Sequence, residues 1–377
     1  MFCGSVTGGK ETRMKKRGRV RRDLYGLLMR AGVALEVAAL VCLLCMGIAS
    51  GKKNGEEAEQ VNADGIWEVL EKHQQGELVE GESGDYIKWV DFTVPAEAMD
   101  KAYQYDVDSY GQEIHMNWIE LLAYAAAKQG GKFGKAALKN IDECAKKLKE
   151  GESIESLTEK LKYYPYYLEA YTAVLGGFVG EYEVEGEKHY GLKAFSPIAA
   201  GFYYTDYDDF GASRSYGYAR PHLGHDMMGQ IGTPIIATES GYVEALGWNQ
   251  YGGWRIGIRS FDKKRYYYYA HLRQNYPYAE NLKEGDIVSA GDVIGYMGHT
   301  GYSAKENVNN IETVHLHFGL ELVFDESQKE SNNEIWINCY ELTRFLSKNR
   351  SEVYKVEGTK EWKRVTEIKL PEVENAN

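Results

Sequence analysis

Residues 233–248 read TPIIATESGYVEALGW, and the stretches that follow keep the same texture: GWRIGIRSF over 253–261, RYYYYAHL over 265–272 and DIVSAGDVIGYMG over 286–298. Short runs rich in Val, Ile and Tyr alternate with glycines and turn residues, the pattern of antiparallel hairpins. The texture begins near residue 181 and runs to about 325, which predicts an all-β domain over 181–325. Before it, residues 66–180 carry apolar side chains at helical spacing and predict a helical region. Asn117, with Glu120 three positions on, opens WIELLAYAAAK as a capping box, and Gly130-Gly131 closes it. A second helix is expected over AALKNIDECAKKLK, and Pro165 should break or kink the run between SIESLTEKLKYY and YYLEAYTAVL. After the β region, EIWINCYELTRFLSKN reads as one amphipathic helix followed by a polar tail, together 326–377. The expected fold class is therefore α+β and multidomain, with an antiparallel β domain at the C-terminal side.

The first fifty residues differ from all of this. Residues 1–30 hold nine basic side chains against Glu11 and Asp23, and 31–50 read AGVALEVAALVCLLCMGIAS with Glu36 as the single charge. Twenty apolar residues in a helix match a bilayer core of about 30 Å. Basic residues ahead of the span predict a cytoplasmic N-terminus and an exported remainder. The expectation is a single-pass transmembrane helix over 31–50, with residues 51–65 as a polar linker. Gly47 and Ala49, at −3 and −1 of a cleavage site before Ser50, keep a removed signal peptide as the alternative. The formal net charge of −12 then divides into +7 for residues 1–30 and −19 for residues 31–377, which hold 35 basic against 54 acidic side chains. Nucleic acid is not an expected partner, because phosphate contacts need clustered Lys and Arg. Of the five cysteines, Cys144 and Cys339 lie in the exported part, where a disulfide is permitted but two thiols are an equal reading.

Five histidines between 222 and 317 stand in settings suited to catalysis. PHLGHDMMG offers His222 and Asp226, with Gly224 between them to permit a tight turn and His225 pointing elsewhere, exposed or behind the site. VHLHFG offers His315 and His317, which share a face in a strand because side chains alternate. RYYYYAHL ends on His271, placed by the same parity on the face of Tyr267 and Tyr269. His299 lies in a turn, and His73, His115 and His189 lie outside these motifs. A catalytic zinc takes three protein ligands and keeps one position for water, whose pKa it lowers towards ~7. His222, Asp226 and one of His315 and His317 supply such a set, leaving the other of the pair and His271 for proton transfer or for stabilising an oxyanion. Each motif alone is more often a surface strand or loop than a metal site, and parity does not separate His315 from His317.

The order of the four motifs is more specific. His-x-x-x-Asp, a Tyr-x-His-Leu strand, GDIVSAGDVIG over 285–295 and His-x-His-Phe together resemble the lysostaphin/LytM-type zinc endopeptidases over about residues 210–325, with Val314 where that family often has Pro. The resemblance implies one zinc ion held by His222, Asp226 and His317, with His271 and His315 catalytic. It implies hydrolysis of peptide bonds in peptidoglycan stem peptides or cross-bridges through a metal-activated water, in a groove between strands and loops. Tyr267 and Tyr269 could line that groove, with packing in the sheet as the expected place of at least one of them. Some relatives, of the stage II sporulation protein Q type, are scaffolds that have lost a ligand, so a silent wall-binding protein is one rival reading. A zinc peptidase acting on protein is another. The helical region is left as a spacer, a cover for the groove or the seat of a protein partner.

Overall fold

The computed structural model describes residues 92–374 apart from 217 and 330–333, together with residue 376. The basic segment 1–30, the apolar run 31–50 and the linker 51–65 lie outside the described residues. No helix among the described residues is long and apolar enough to cross a membrane. The described residues all belong to one compact unit.

Helices come first: α1 (Ala96–Ser109), α2 (Trp118–Gln129), α3 (Lys135–Lys149), α4 (Ile154–Thr158) and α5 (Tyr164–Leu175). Asn117 caps α2 by accepting from the amides of Ile119 and Glu120 at 2.8 and 3.4 Å, and Gly130 ends it at φ +59°. That is the left-handed stop that glycine adopts without penalty. Pro165 breaks the run as expected, but by starting α5, where its missing N–H costs nothing. Cys144 and Cys339 are free thiols, both buried, and burial pushes each up to about 12.

The strands follow: β1 (Val179–Val184), β2 (Glu187–Leu192), β3 (Thr205–Asp206), β4 (Ser213–Tyr216), β5 (Tyr218–Pro221), β6 (His225–Met228) and β7 (Pro234–Ile236). Then come β8 (Gly241–Asn249), β9 (Gly253–Ser260), β10 (Arg265–Ala270), β11 (Ile287–Val288), β12 (Val293–Tyr296), β13 (His315–Leu322) and β14 (Ile335–Ile337). The chain closes with α6 (Tyr340–Leu346), β15 (Val353–Lys355), β16 (Trp362–Arg364), β17 (Ile368–Lys369) and α7 (Pro371–Glu374). The principal sheet is antiparallel in the order β11-β8-β9-β10-β13-β6-β3, with β14 sharing an edge of β13 with β6.

This architecture matches the expected helical middle and antiparallel β domain and corrects three details. EIWINCYELTRFLSKN is not one helix: Ile335 and Ile337 are buried in β14 against β13, and the helix starts only at Tyr340. The tail is structured, with β15 and β16 paired, β17 added to β1 and Leu370 buried. The segment 285–295 is a turn joining two partners rather than a self-paired hairpin, since β11 pairs with β8 and β12 with β7. Gly291, at φ +93°, makes the reversal.

The two faces of the principal sheet have different fates. Val243, Ile256, Ile258, Tyr267, Tyr269, Leu316, Phe318 and Leu320 share one face and are buried in a single apolar cluster with the helices. Arg265, on that face, donates to Ala173 O at 3.1 Å and pairs with Glu239, tying α5 to the sheet. The opposite face is the floor of a groove.

Candidate metal centre

That groove has a volume of about 2010 Å³, and its lining residues run from Tyr207 to Trp336. His222, in the segment before β6, Asp226 on β6 and His317 on β13 meet on its floor. His317 stands opposite Asp226 in the β13–β6 register, so both project to the same side. Three donor atoms form a nearly equilateral triangle: His222 Nε2 to Asp226 Oδ1 is 3.0 Å, His222 Nε2 to His317 Nδ1 is 3.0 Å, and His317 Nδ1 to Asp226 Oδ1 is 2.9 Å. Bonds of about 2.0–2.1 Å to a tetrahedral ion put neighbouring ligand atoms about 3.3 Å apart. Two imidazole nitrogens and one carboxylate oxygen at this spacing fit a divalent metal and need only a small expansion.

The surroundings also suit a metal. His222 Nδ1 lies 3.1 Å from Asp209 Oδ1 and 3.3 Å from Asp209 O, which fixes the proton on Nδ1 and turns Nε2 inward. Arg214 pairs with Asp209 and reaches Asp226 Oδ2 at 3.5 Å. Burial opposes the charge on Asp226, but hydrogen bonds from His222 and His317 outweigh it and hold the carboxyl far below its ordinary range. Burial likewise opposes protonation of His222, yet Asp226 and Asp209 raise its pKa. For His317 burial prevails over Asp226 and the pKa falls. The carboxylate is anionic and His317 is neutral, as ligation requires, while a bound metal would displace the proton that Asp226 and Asp209 favour on His222.

His271 and His315 stand beside the triangle, their ring centroids 4.7 Å apart. His271 Nδ1 is 2.9 Å from Thr300 O, and His315 Nδ1 is 2.9 Å from Thr313 O. A carbonyl only accepts, so each ring carries a proton on Nδ1 and, when neutral, presents Nε2 as a lone pair. His315 Nε2 is 3.7 Å from Asp226 Oδ1. Burial, reinforced by His315 and His317, drives the pKa of His271 well below the usual histidine value, so its ring is neutral. One main chain spaces the two rings: Gly298 N donates to His271 O at 3.0 Å, and His315 N donates to Gly298 O at 3.2 Å.

Parity misplaced three neighbours of the site. His271 has φ +62°, which ends the alternation of β10 and turns its ring to the groove face. Tyr267 and Tyr269 therefore lie on the other face, fully buried in the core, and the groove is lined by Tyr266 and Tyr268. Tyr268 meets His317 edge to face at 6.0 Å. Gly224 makes no left-handed turn; it leaves room for His317, whose Cε1 and Nε2 would lie 2.5 Å from an added Cβ. His225 is buried at 1% exposure and bound to Asp206 at 3.0 Å.

The remaining histidines stand apart from the triangle. His299 Nδ1 is engaged with Ile311 O, His115 with Asp106 and His189 with the ring of Tyr182, while His73 lies outside the described residues. Asp209, Arg214, Thr300 and Thr313 support the site through the chain's folding and have no local motif that would announce them.

The family model for peptidase family M23 matches residues 220–332. The L-Ala–D-Glu endopeptidase of Bacillus subtilis (strain 168) is 36% identical over 148 residues, covering 39% of this chain and 43% of that protein. Lysostaphin of Staphylococcus simulans is 40% identical over 98 residues, 26% of this chain and 17% of that protein. The solved catalytic domain of the antimicrobial peptidase lysostaphin from Staphylococcus simulans is 30% identical, with a TM-score of 0.30, over 37% of this chain and 92% of that one. The chain spans less than half the length of these curated relatives. The matched segment contains His222, Asp226, His271, His315 and His317, whereas Asp209 and Arg214 precede it. Over residues 220–332 the chain is similar to peptidase family M23.

Proposed function

We propose that this chain is a zinc-dependent endopeptidase hydrolysing peptide bonds in peptidoglycan stem peptides or cross-bridges. The observation that carries the reading is the donor triangle of His222, Asp226 and His317, with two Nε2 lone pairs of His271 and His315 beside it on one groove floor. A zinc ion held by those three donors would supply Lewis acidity, polarising the scissile carbonyl and acidifying water at its remaining position. His271 and His315 do the proton work: a neutral Nε2 accepts the proton released as water attacks and returns it to the departing amine. A ring so protonated also donates to the oxyanion that develops on the carbonyl. Thr300 and Thr313, holding both Nδ1 protons, keep the rings in the tautomer these steps need. Tyr268 and Trp336 offer flat apolar walls to an extended peptide.

The test is digestion of cross-linked peptidoglycan by the purified protein, read as newly released amines and by mass spectrometry of the products. Activity should disappear with chelator and return with zinc. His317→Ala should lose both zinc and hydrolysis, and unchanged hydrolysis in that variant would overturn the assignment. Absence of any chelator-sensitive product would favour a silent wall-binding protein. The basic residues 1–30 ahead of the apolar run 31–50 support a single-pass anchor with the groove outside the cytoplasm. Resistance of the full chain to alkaline extraction from membranes, together with cleavage of the groove domain by added protease in spheroplasts, tests that placement.

A further inference from the structure

The groove floor carries a cation that this reading leaves unused. In the β9–β10 register Tyr268 faces Gly257 and Tyr269 faces Ile256, so Arg255 stands one position further, beside Ala270. Ala270 is paired with His317, and His317 with Asp226. One row across four strands therefore runs Asp226, His317, Ala270, Arg255. With strands about 4.8 Å apart, the Arg255 backbone lies ~10 Å from that of His317, on the side away from Asp226. Ala270 between them is only a methyl group, and Arg255 lines the groove.

Arg255 is also unlike its neighbours. Arg259, on the same face of β9, is paired with Glu244 and Glu326, and Arg265 on β10 is paired with Glu239 and Asp262. Arg255 Nε is sealed from solvent with no hydrogen-bond partner, and no carboxylate among the described residues lies within ion-pair distance of its guanidinium. A partly desolvated guanidinium without a counter-charge is costly, and a carboxylate meets its planar fork with two parallel hydrogen bonds. The expense is explained if the missing partner arrives with the ligand.

We infer that Arg255 is a specificity residue that receives a carboxylate of the substrate, so that the groove takes an anionic stem peptide in preference to its amidated form or a neutral glycine bridge. The inference rests on the endopeptidase reading of the groove. An extended peptide advances about 3.4 Å per residue, so the carboxylate belongs to a residue within about three of the scissile bond. Residues 31–377 carry −19, which repels an anionic ligand at long range. A local unpaired cation is what lets such a ligand settle.

The experiment compares two synthetic peptides, N-acetyl-L-Ala–D-Glu–L-Lys with a free carboxylate on D-Glu and the same peptide with that group as a carboxamide. Binding to the full-length protein is measured by calorimetry in chelator, so that no turnover intervenes, and hydrolysis is then followed with zinc. Wild type should bind the carboxylate about 10- to 100-fold more tightly, the range of a hydrogen bond to a charged group. Arg255→Gln should bring the two within about twofold, and Arg255→Lys should fall between. Equal binding by wild type, or an unchanged ratio in Arg255→Gln, overturns the inference. The wild-type ratio decides even if the variant fails to fold. Hydrolysis without a carboxylate preference sinks the inference and leaves the endopeptidase reading standing. A preference that depends on Arg255 without any hydrolysis does the reverse.

Discussion

An alanine at position 224 would place its Cβ 2.5 Å from Cε1 and Nε2 of His317 and 3.0 Å from the carbonyl oxygen of Phe318. Neither neighbour yields easily: the carbonyl belongs to β13, and the ring is held by Asp226 on one side and the edge of Tyr268 on the other. Gly224→Ala should therefore push the imidazole out of the donor triangle at an overpacking cost of about 1–3 kcal/mol. The expected result is a folded protein with less than one equivalent of zinc and hydrolysis reduced at least about tenfold, since a tenfold loss needs only ~1.4 kcal/mol. Metal analysis beside far-UV circular dichroism checks it. Full zinc and wild-type rates in this variant would show that the ring has another place to go. The identities of the ligands were legible in the spacing of His-x-x-x-Asp and His-x-His. The reason for the glycine was not, because its contact is with a residue 93 positions away in sequence.

Four consecutive tyrosines in β10 show what an element's sequence leaves undecided. Alternation divides Tyr266 and Tyr268 from Tyr267 and Tyr269, but only the register with β13 says which pair faces the core. The positive φ of His271 then breaks the parity that seemed to link it to Tyr267 and Tyr269. The two faces should respond differently to the same kind of change. Tyr267 donates to Glu239 Oε2 at 2.6 Å in a fully buried setting, beside Arg265. Tyr267→Phe removes a charge-assisted hydrogen bond and should cost about 1.5–3 kcal/mol, lowering the melting temperature by several degrees while leaving KM unchanged. Tyr268→Ala should do the opposite, raising KM through the lost groove wall with a smaller thermal shift. Differential scanning calorimetry and steady-state kinetics on the two variants separate them. A KM effect of Tyr267→Phe equal to that of Tyr268→Ala would refute the division of faces.

At the scale of the molecule, the sheet keeps its chemistry and its support on opposite sides. The boundary between helical and β texture was legible because the two periodicities differ, yet nothing in either half's pattern states that their apolar residues form one cluster. That joining is made by pairs far apart in sequence. Phe345 of α6 packs edge to face on Tyr103 of α1 at 5.9 Å and stacks on Trp118 of α2 at 5.6 Å, and Glu341 accepts from Ala96 N at 2.8 Å. The tail contributes as well, with Glu361 accepting from Tyr296 at 3.0 Å. The lining of the groove begins only at Tyr207, so no described residue of the helices covers it. A fragment of residues 190–350 should accordingly lose stability without gaining activity. Exposing Phe345 and Leu346 alone forfeits about 1.5–3 kcal/mol each, and Arg265 loses the Ala173 carbonyl. Against a total of about 5–15 kcal/mol, such losses are enough to leave much of the fragment unfolded or aggregated. The comparison is with residues 52–377, by thermal unfolding and by hydrolysis per mole of zinc-loaded protein. A large gain in activity on truncation would mean that the helical region covers the groove after all, and a stable fragment with wild-type rates would mean that it supports nothing.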